Sequence, residues 1–143
     1  MLLKVKQYQR EKKPVLIFVP TIEKTRQISK YLRLFSIKNA IATSHTQNIH
    51  LLIDRLKNHQ LDAIVCTTVL ERGITIANVQ VIIVYGEHIV YTTETLIQIA
   101  GRVGRIQPYV DGEIMIYSCR KTKAINQCIK QLEQDNVLSV TNL

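Results

Sequence analysis

Five short apolar runs, each too brief for a membrane span, alternate with amphipathic segments along this chain, and that alternation restricts the fold more than any other feature. Val15 to Val19 is a continuous run of β-formers ended by Pro20. Thr21 is placed to cap a helix that turns Lys24 and Arg26 outward and sets Ile28, Leu32 and Phe35 on one stripe. Asn39 to Thr43 reads as a second strand, and Gln47 to His59 as a helix with Leu51, Leu52 and Leu56 inward. Leu61 to Thr67 and Val79 to Tyr85 continue the strands. Thr93 to Val103 reads as a helix, Glu113 to Tyr117 as the last strand, and Lys121 to Gln134 as the last helix. Strands apolar on both faces belong in a parallel sheet covered by helices on each side. The expected class is therefore α/β, a three-layer αβα sandwich with a mainly parallel central sheet. In such sheets ligands collect at the carboxyl ends of the strands. Pro20-Thr21, Ser44-His45 and Thr67-Thr68 each follow a strand directly.

A chain of 143 residues suits one domain with a real core. Residues 14–143 form that expected domain. Residues 1–13, with Lys4, Lys6, Arg10, Lys12 and Lys13, read as a basic lead-in helix or linker. No apolar run approaches the length of a transmembrane helix, and Lys4 and Lys6 interrupt any signal-peptide pattern. The net charge of +8 suits a polyanionic partner, and equally a solvated surface. Cys66, Cys119 and Cys128 are an odd set without a C-x-x-C, which argues for a reducing compartment and against a zinc site or disulfide frame.

Two segments carry the expected chemistry. Gln98-Ile99-Ala100-Gly101-Arg102-Val103-Gly104-Arg105 sets two arginines three residues apart, on a common face if the segment is helical. Their planar forks suit phosphate oxygens, and a positioned arginine stabilises the charge that builds on a transferred phosphoryl group. A solvated basic helix end is the plainer alternative. Thr67 to Thr75 is the second segment. A hydroxyl at a strand end can bond a phosphate beside backbone N–H groups, and Gly73 permits a tight turn. Thr67 could equally be a strand-terminal cap, and His45 a nucleic-acid phosphate contact or an ordinary surface residue. No G-x-x-x-x-G-K-[ST] box and no D-E-x-x box occurs, so the chain has no phosphate cradle or magnesium ligand set of its own.

Taken in order, these segments resemble the second RecA-like domain of superfamily 2 helicases. Val15 to Thr21 is similar to the fourth motif of that family, Thr67 to Thr75 to the fifth, and Gln98 to Arg105 to the sixth. The resemblance implies a RecA-like, P-loop NTPase-like domain without its own Walker A box. It implies packing against an N-terminal RecA-like domain of the same protein, which would hold most of the ATP and Mg2+. Arg102 and Arg105 would meet the γ-phosphate, Gly73 and Thr75 would border the nucleotide, and Gln98 would link motifs across the cleft. Pro20, Thr21, His45, Thr67 and Thr68 would line the nucleic-acid track. Many relatives carry an acidic residue where Thr75 stands, and Thr75 cannot grip a ribose in that way. Gln98-Ile99 replaces the His-Arg of RNA-remodelling members and leans toward DNA translocases. Thr67 to Thr75 and the tail Arg120-Lys121-Thr122-Lys123-Ala124 most resemble the late-competence DNA-uptake ATPases, with DNA-repair and replication-restart helicases also near. The resemblance thus implies the C-terminal half of an ATP-driven DNA motor, inactive alone and cytoplasmic or peripheral at the inner face of the membrane. Single-stranded DNA and membrane DNA-uptake proteins would be its partners. The competing reading is a nucleotide-independent module that binds nucleic acid or protein.

Overall fold

A computed structural model describes residues 1–68, 76–101, 112–135 and 139–142. In chain order the elements are α1 (Leu2–Arg10), β1 (Val15–Phe18), α2 (Ile22–Leu34), β2 (Asn39–Ala42), α3 (Ile49–Lys57), β3 (Ala63–Cys66), β4 (Gln80–Val84), α4 (Thr93–Ala100), β5 (Glu113–Tyr117), α5 (Lys123–Asp135) and β6 (Ser139–Asn142). The six strands form one sheet in the order β2-β3-β1-β4-β5-β6. Every pair is parallel, with Phe18 in register with both Cys66 and Ile83. The expected α/β sandwich is what the chain adopts. The strand β6 was not anticipated from the sequence.

Alternate residues of each strand feed two separate cores, as the two-residue period of a strand requires. Leu16, Phe18, Ile64, Cys66, Val81, Ile83, Ile114 and Ile116 point to the side covered by α3, α4 and α5. Val15, Ile17, Ala63, Val65, Ile82 and Met115 point to the side covered by α1 and α2, where Val5, Tyr8 and Leu32 close the layer. Burying both faces explains why the strands read as unbroken apolar runs.

Helix ends follow a common rule. The Oγ1 of Thr21 accepts from the backbone N–H of Lys24 at 3.2 Å, the capping bond expected of Thr21. α2 ends in a Schellman motif, in which the Ile37 N–H donates to the Leu32 carbonyl and the Ser36 N–H to the Arg33 carbonyl. α1 and α3 close in the same way, with Lys12 and His59 in the left-handed position that Ser36 takes in α2. The turn at Ser36 directs Phe35 outward, so Phe35 leaves the expected stripe and Thr25, Ser29 and Leu32 line the inner face. In α3 Leu51 is 57% exposed, and Ile53 takes the inward place beside Leu56. Two polar locks hold the layers. Ser29 Oγ donates to Asn39 Oδ1 at 2.5 Å, while Asn39 Nδ2 donates to the carbonyls of Ser29 and Ile37, joining α2 to β2. Lys4 Nζ lies 2.8 Å from Glu113 Oε2, and Tyr8 Oη donates to the same oxygen at 2.9 Å, pinning α1 to β5.

Candidate nucleic-acid interface

The sheet reverses its winding between β1 and β4. After β1 the chain turns onto the α2 face and moves toward β2. After β4 it turns onto the opposite face, through α4, toward β5. Neighbouring loops that diverge in this way open a crevice at the carboxyl ends of the strands. Val19-Pro20-Thr21 forms one wall and Tyr85-Gly86 the other.

Each loop is fixed by its own bonds. The Val19 N–H donates to the Cys66 carbonyl at 2.8 Å, and the Thr67 N–H to the Ala42 carbonyl at 3.2 Å, so the ends of β1, β2 and β3 stay aligned. Beyond β2, the Thr43 N–H donates to Thr46 Oγ1 at 2.8 Å and Thr43 Oγ1 accepts from the His45 N–H at 3.2 Å. That turn leaves the His45 side chain exposed. Thr67 and Thr68 are half-buried at the same edge. Pro20, Thr21, His45, Thr67 and Thr68 thus come together on three adjacent loops. Gln98 belongs to another layer, partly exposed in the last turn of α4. Gly73, Thr75, Arg102 and Arg105 lie outside the described residues.

The β1–α2 turn does not fit a phosphate cradle. Such a cradle uses a glycine-rich turn whose free N–H groups face the anion. Here Pro20 has no N–H, and Thr21 already occupies the Lys24 N–H. In that bond the Thr21 hydroxyl only accepts, which leaves its O–H able to donate outward. Hydroxyl and backbone donors of this kind suit a sugar-phosphate backbone passing over the edge.

Three residues of the crevice escaped the sequence reading. Tyr85 follows β4 directly with φ +58°, a left-handed conformation uncommon for a bulky residue. Lys24, from the first turn of α2, sets its ammonium 4.6 Å from the centre of the Tyr85 ring, a cation–π contact across the crevice. Gly86 follows. A Cβ there would meet Ile116 Cγ2 at 2.8 Å, so the close approach to β5 demands glycine. The lone glycine after an apolar run was the available signal for Gly86. Nothing in the sequence marks the backbone of Tyr85.

Two ionisable groups near the edge are shifted. Partial burial pushes the Glu87 carboxyl up, but hydrogen bonds from its own backbone, Cys119 and Ser118 outweigh it and hold it below the usual carboxylate value. Burial pushes the Cys66 thiol well up, and Cys66 Sγ donates to the Ile17 carbonyl at 3.6 Å. Cys66 fills the core. Among the described residues no cluster of His, Cys, Asp and Glu is arranged to hold a metal ion, and no helix is long and apolar enough to cross a membrane.

The sequence profile of the helicase conserved C-terminal domain matches residues 1–107. Competence protein ComFA of Bacillus subtilis is 29% identical over 130 residues, which cover 91% of this chain and 28% of that protein. ComFA of Streptococcus pneumoniae is 30% identical over 125 residues, covering 86% of this chain and 29% of that protein. The chain therefore spans under a third of the length of these curated relatives. Among solved structures, the Escherichia coli DEAD-box protein SrmB superposes with a TM-score of 0.73 at 19% identity, over 99% of this chain and 81% of that one. At that identity the likeness is one of fold.

Proposed function

The chain belongs to the helicase conserved C-terminal domain family, and from that premise we propose that it is the C-terminal half of an ATP-dependent superfamily 2 translocase acting on single-stranded DNA during uptake. One observation carries the reading: three adjacent strand ends of one parallel sheet present Thr21, His45, Thr67 and Thr68 on a single edge beside the β1–β4 crevice. Hydroxyls and backbone N–H groups there hold the sugar-phosphate backbone without reading bases, as a motor that must move along any sequence requires. Similarity to ComFA over most of this chain supports DNA uptake as the process.

Bound ATP and Mg2+, held mainly by an N-terminal RecA-like domain, would supply the free energy of phosphoryl transfer. From this chain Arg102 and Arg105 would meet the γ-phosphate, with Gly73 and Thr75 bordering the nucleotide and Gln98 linking the motifs across the cleft, as the family resemblance implies. Closure of the two domains would bring the arginines to the charge that builds on the transferred group. The β1–α2 turn, lacking a cradle, leaves nucleotide capture to the partner domain.

The test is phosphate release with and without single-stranded DNA, for this chain alone and joined to a first RecA-like domain. The chain alone is expected to be silent and the joined protein to be stimulated by DNA. Turnover by the chain alone above contaminant controls would sink the half-motor reading.

A further inference from the structure

The net positive charge of the sequence is concentrated in its first 38 residues. Residues 1–38 hold ten Lys and Arg against Glu11 and Glu23, a balance of +8. Residues 39–143 hold nine Lys and Arg against nine Asp and Glu, a balance of zero. Residues 1–38 comprise α1, β1 and α2, and both helices cover the same face of the sheet. α3, α4 and α5, on the other face, hold four Lys and Arg against four Asp and Glu.

On that face α2 is built as a ridge. Arg26, Lys30 and Arg33 succeed one another at helical spacing and are all exposed. Seven residues of helix carry them over about 10 Å. No ion pair among the described residues engages any of the three. Beside them runs an apolar stripe at the carboxyl end of α2. Leu34 is 75% exposed, and Tyr31 and Phe35 stack edge to face with centroids 5.1 Å apart, both partly open to solvent. The helix starts at the carboxyl edge of the sheet, where Lys24 meets Tyr85, and ends at the amino edge, where Asn39 opens β2. The ridge therefore leads from the crevice down the outside of the domain.

We propose that the outer face of α2 is a second binding surface for single-stranded nucleic acid, continuing the path from the β1–β4 crevice along the side of the sheet. Arg26, Lys30 and Arg33 hold successive phosphates, and Tyr31 and Phe35 take a base against their rings. A row of unpaired cations with aromatic rings beside it supplies the two contacts, to phosphate and to base faces, that bind single strands without sequence preference. Choosing nucleic acid over another polyanion rests on the function proposed above. The apolar stripe is one narrow row at the end of a short helix, too small a face to seat in a lipid surface.

The experiment titrates labelled oligothymidine of roughly 5 and roughly 15 nucleotides against the chain over a salt series. Arg26→Glu, Lys30→Glu and Arg33→Glu are combined in one variant. Tyr31→Leu and Phe35→Leu form a second, which keeps the apolar bulk and removes the stacking planes. Melting curves check that both remain folded. The charge variant should lose about tenfold or more affinity for the longer strand, with a salt slope about two units shallower, since each contacted phosphate contributes about 0.7 to the slope. The leucine variant should lose about fivefold or more, the effect of one stacked base. The short strand should be affected less than the long one. A third variant, His45→Ala with Thr67→Val, reports on the carboxyl edge alone. If it loses binding while both ridge variants bind like the parent, the edge track stands and the ridge proposal is overturned. If the ridge variants lose binding and the edge variant does not, the ridge stands and the edge track fails. Loss of binding to phosphatidylserine vesicles, with oligothymidine binding unchanged, would assign the face to lipid and overturn the proposal.

Discussion

The ammonium of Lys24 stands 4.6 Å from the centre of the Tyr85 ring, joining the two loops that part at the point where the sheet changes winding. The contact spans the crevice beside the edge proposed to carry nucleic acid. It also sits on a residue whose backbone, at φ +58°, is held in a conformation that bulky side chains avoid. Strain of this kind persists where surrounding structure enforces it, often at working sites.

Tyr85→Gly removes both the strain and the ring. The strain relief, about 1 kcal/mol, should offset most of the loss of a half-buried cation–π contact, about 0.5–2 kcal/mol. Urea midpoints should therefore change little, whereas affinity for single-stranded DNA should fall. Lys24→Ala should weaken binding as well, and the double variant should be no worse than the sum of the two. Unchanged affinity in Tyr85→Gly would remove the crevice from the binding surface.

Gly86→Ala is expected to cost stability. Its new methyl would lie 2.8 Å from Ile116 Cγ2 and 3.3 Å from Ser118 Cβ, so β4 and β5 must part. Overpacking of this order costs about 1–3 kcal/mol. In a domain of this size each kcal/mol lowers Tm by about 2–4 °C. A melting curve indistinguishable from the parent would show that the β4–β5 junction has room to give.

Acid should loosen α1. The hydrogen bond from Lys4 holds the Glu113 carboxyl below its usual range; partial burial opposes this and the Tyr8 hydroxyl adds to it. A carboxyl depressed in the folded state stabilises above its ordinary value and loses that contribution as pH falls through the lowered value. The Lys4 and Glu113 side chains are 21% and 39% exposed, so solvent screening keeps the effect below about 1 kcal/mol. Urea unfolding of the parent and of Glu113→Gln, followed between about pH 3 and about pH 6, should show a stability gap that narrows in acid. A gap constant with pH would mean that the Lys4–Glu113 pair contributes through shape alone.

The architecture was legible because its strands are buried on both faces, which writes each as an unbroken apolar run such as Val15-Leu16-Ile17-Phe18. Finer features were not. In α3 the period of Ile49, Leu52, Ile53 and Leu56 decides the inner face, and Leu51, one residue away, is apolar but faces solvent. Helix ends at Lys12, Ser36 and His59 carry no glycine, so their left-handed backbone left no mark in the sequence. The edge residues Thr21, His45 and Thr67 were found because strand ends locate them. Lys24 and Tyr85 were missed because their meeting depends on which strand neighbours β1. The sequence puts four segments between Lys24 and Tyr85; the sheet order makes them adjacent.

Arg102 and Arg105 carry the sharpest expectation for the protein that joins this chain to a first RecA-like domain. Charge on the transferred phosphoryl group is greatest in the transition state, so an arginine that meets it there acts on turnover more than on nucleotide binding. Such an arginine contributes about a thousandfold or more in rate. Arg102→Ala or Arg105→Ala should therefore abolish DNA-stimulated phosphate release while nucleotide affinity falls far less. Lysine at either position should rescue poorly, because it keeps the charge and loses the planar fork. Stability should be retained, since both side chains are expected to face an open cleft. The measurements are kcat, nucleotide affinity and thermal melting for each variant. Near-normal turnover in Arg105→Ala, or outright unfolding, would show the residue to be structural, with the transition-state charge met by some other group.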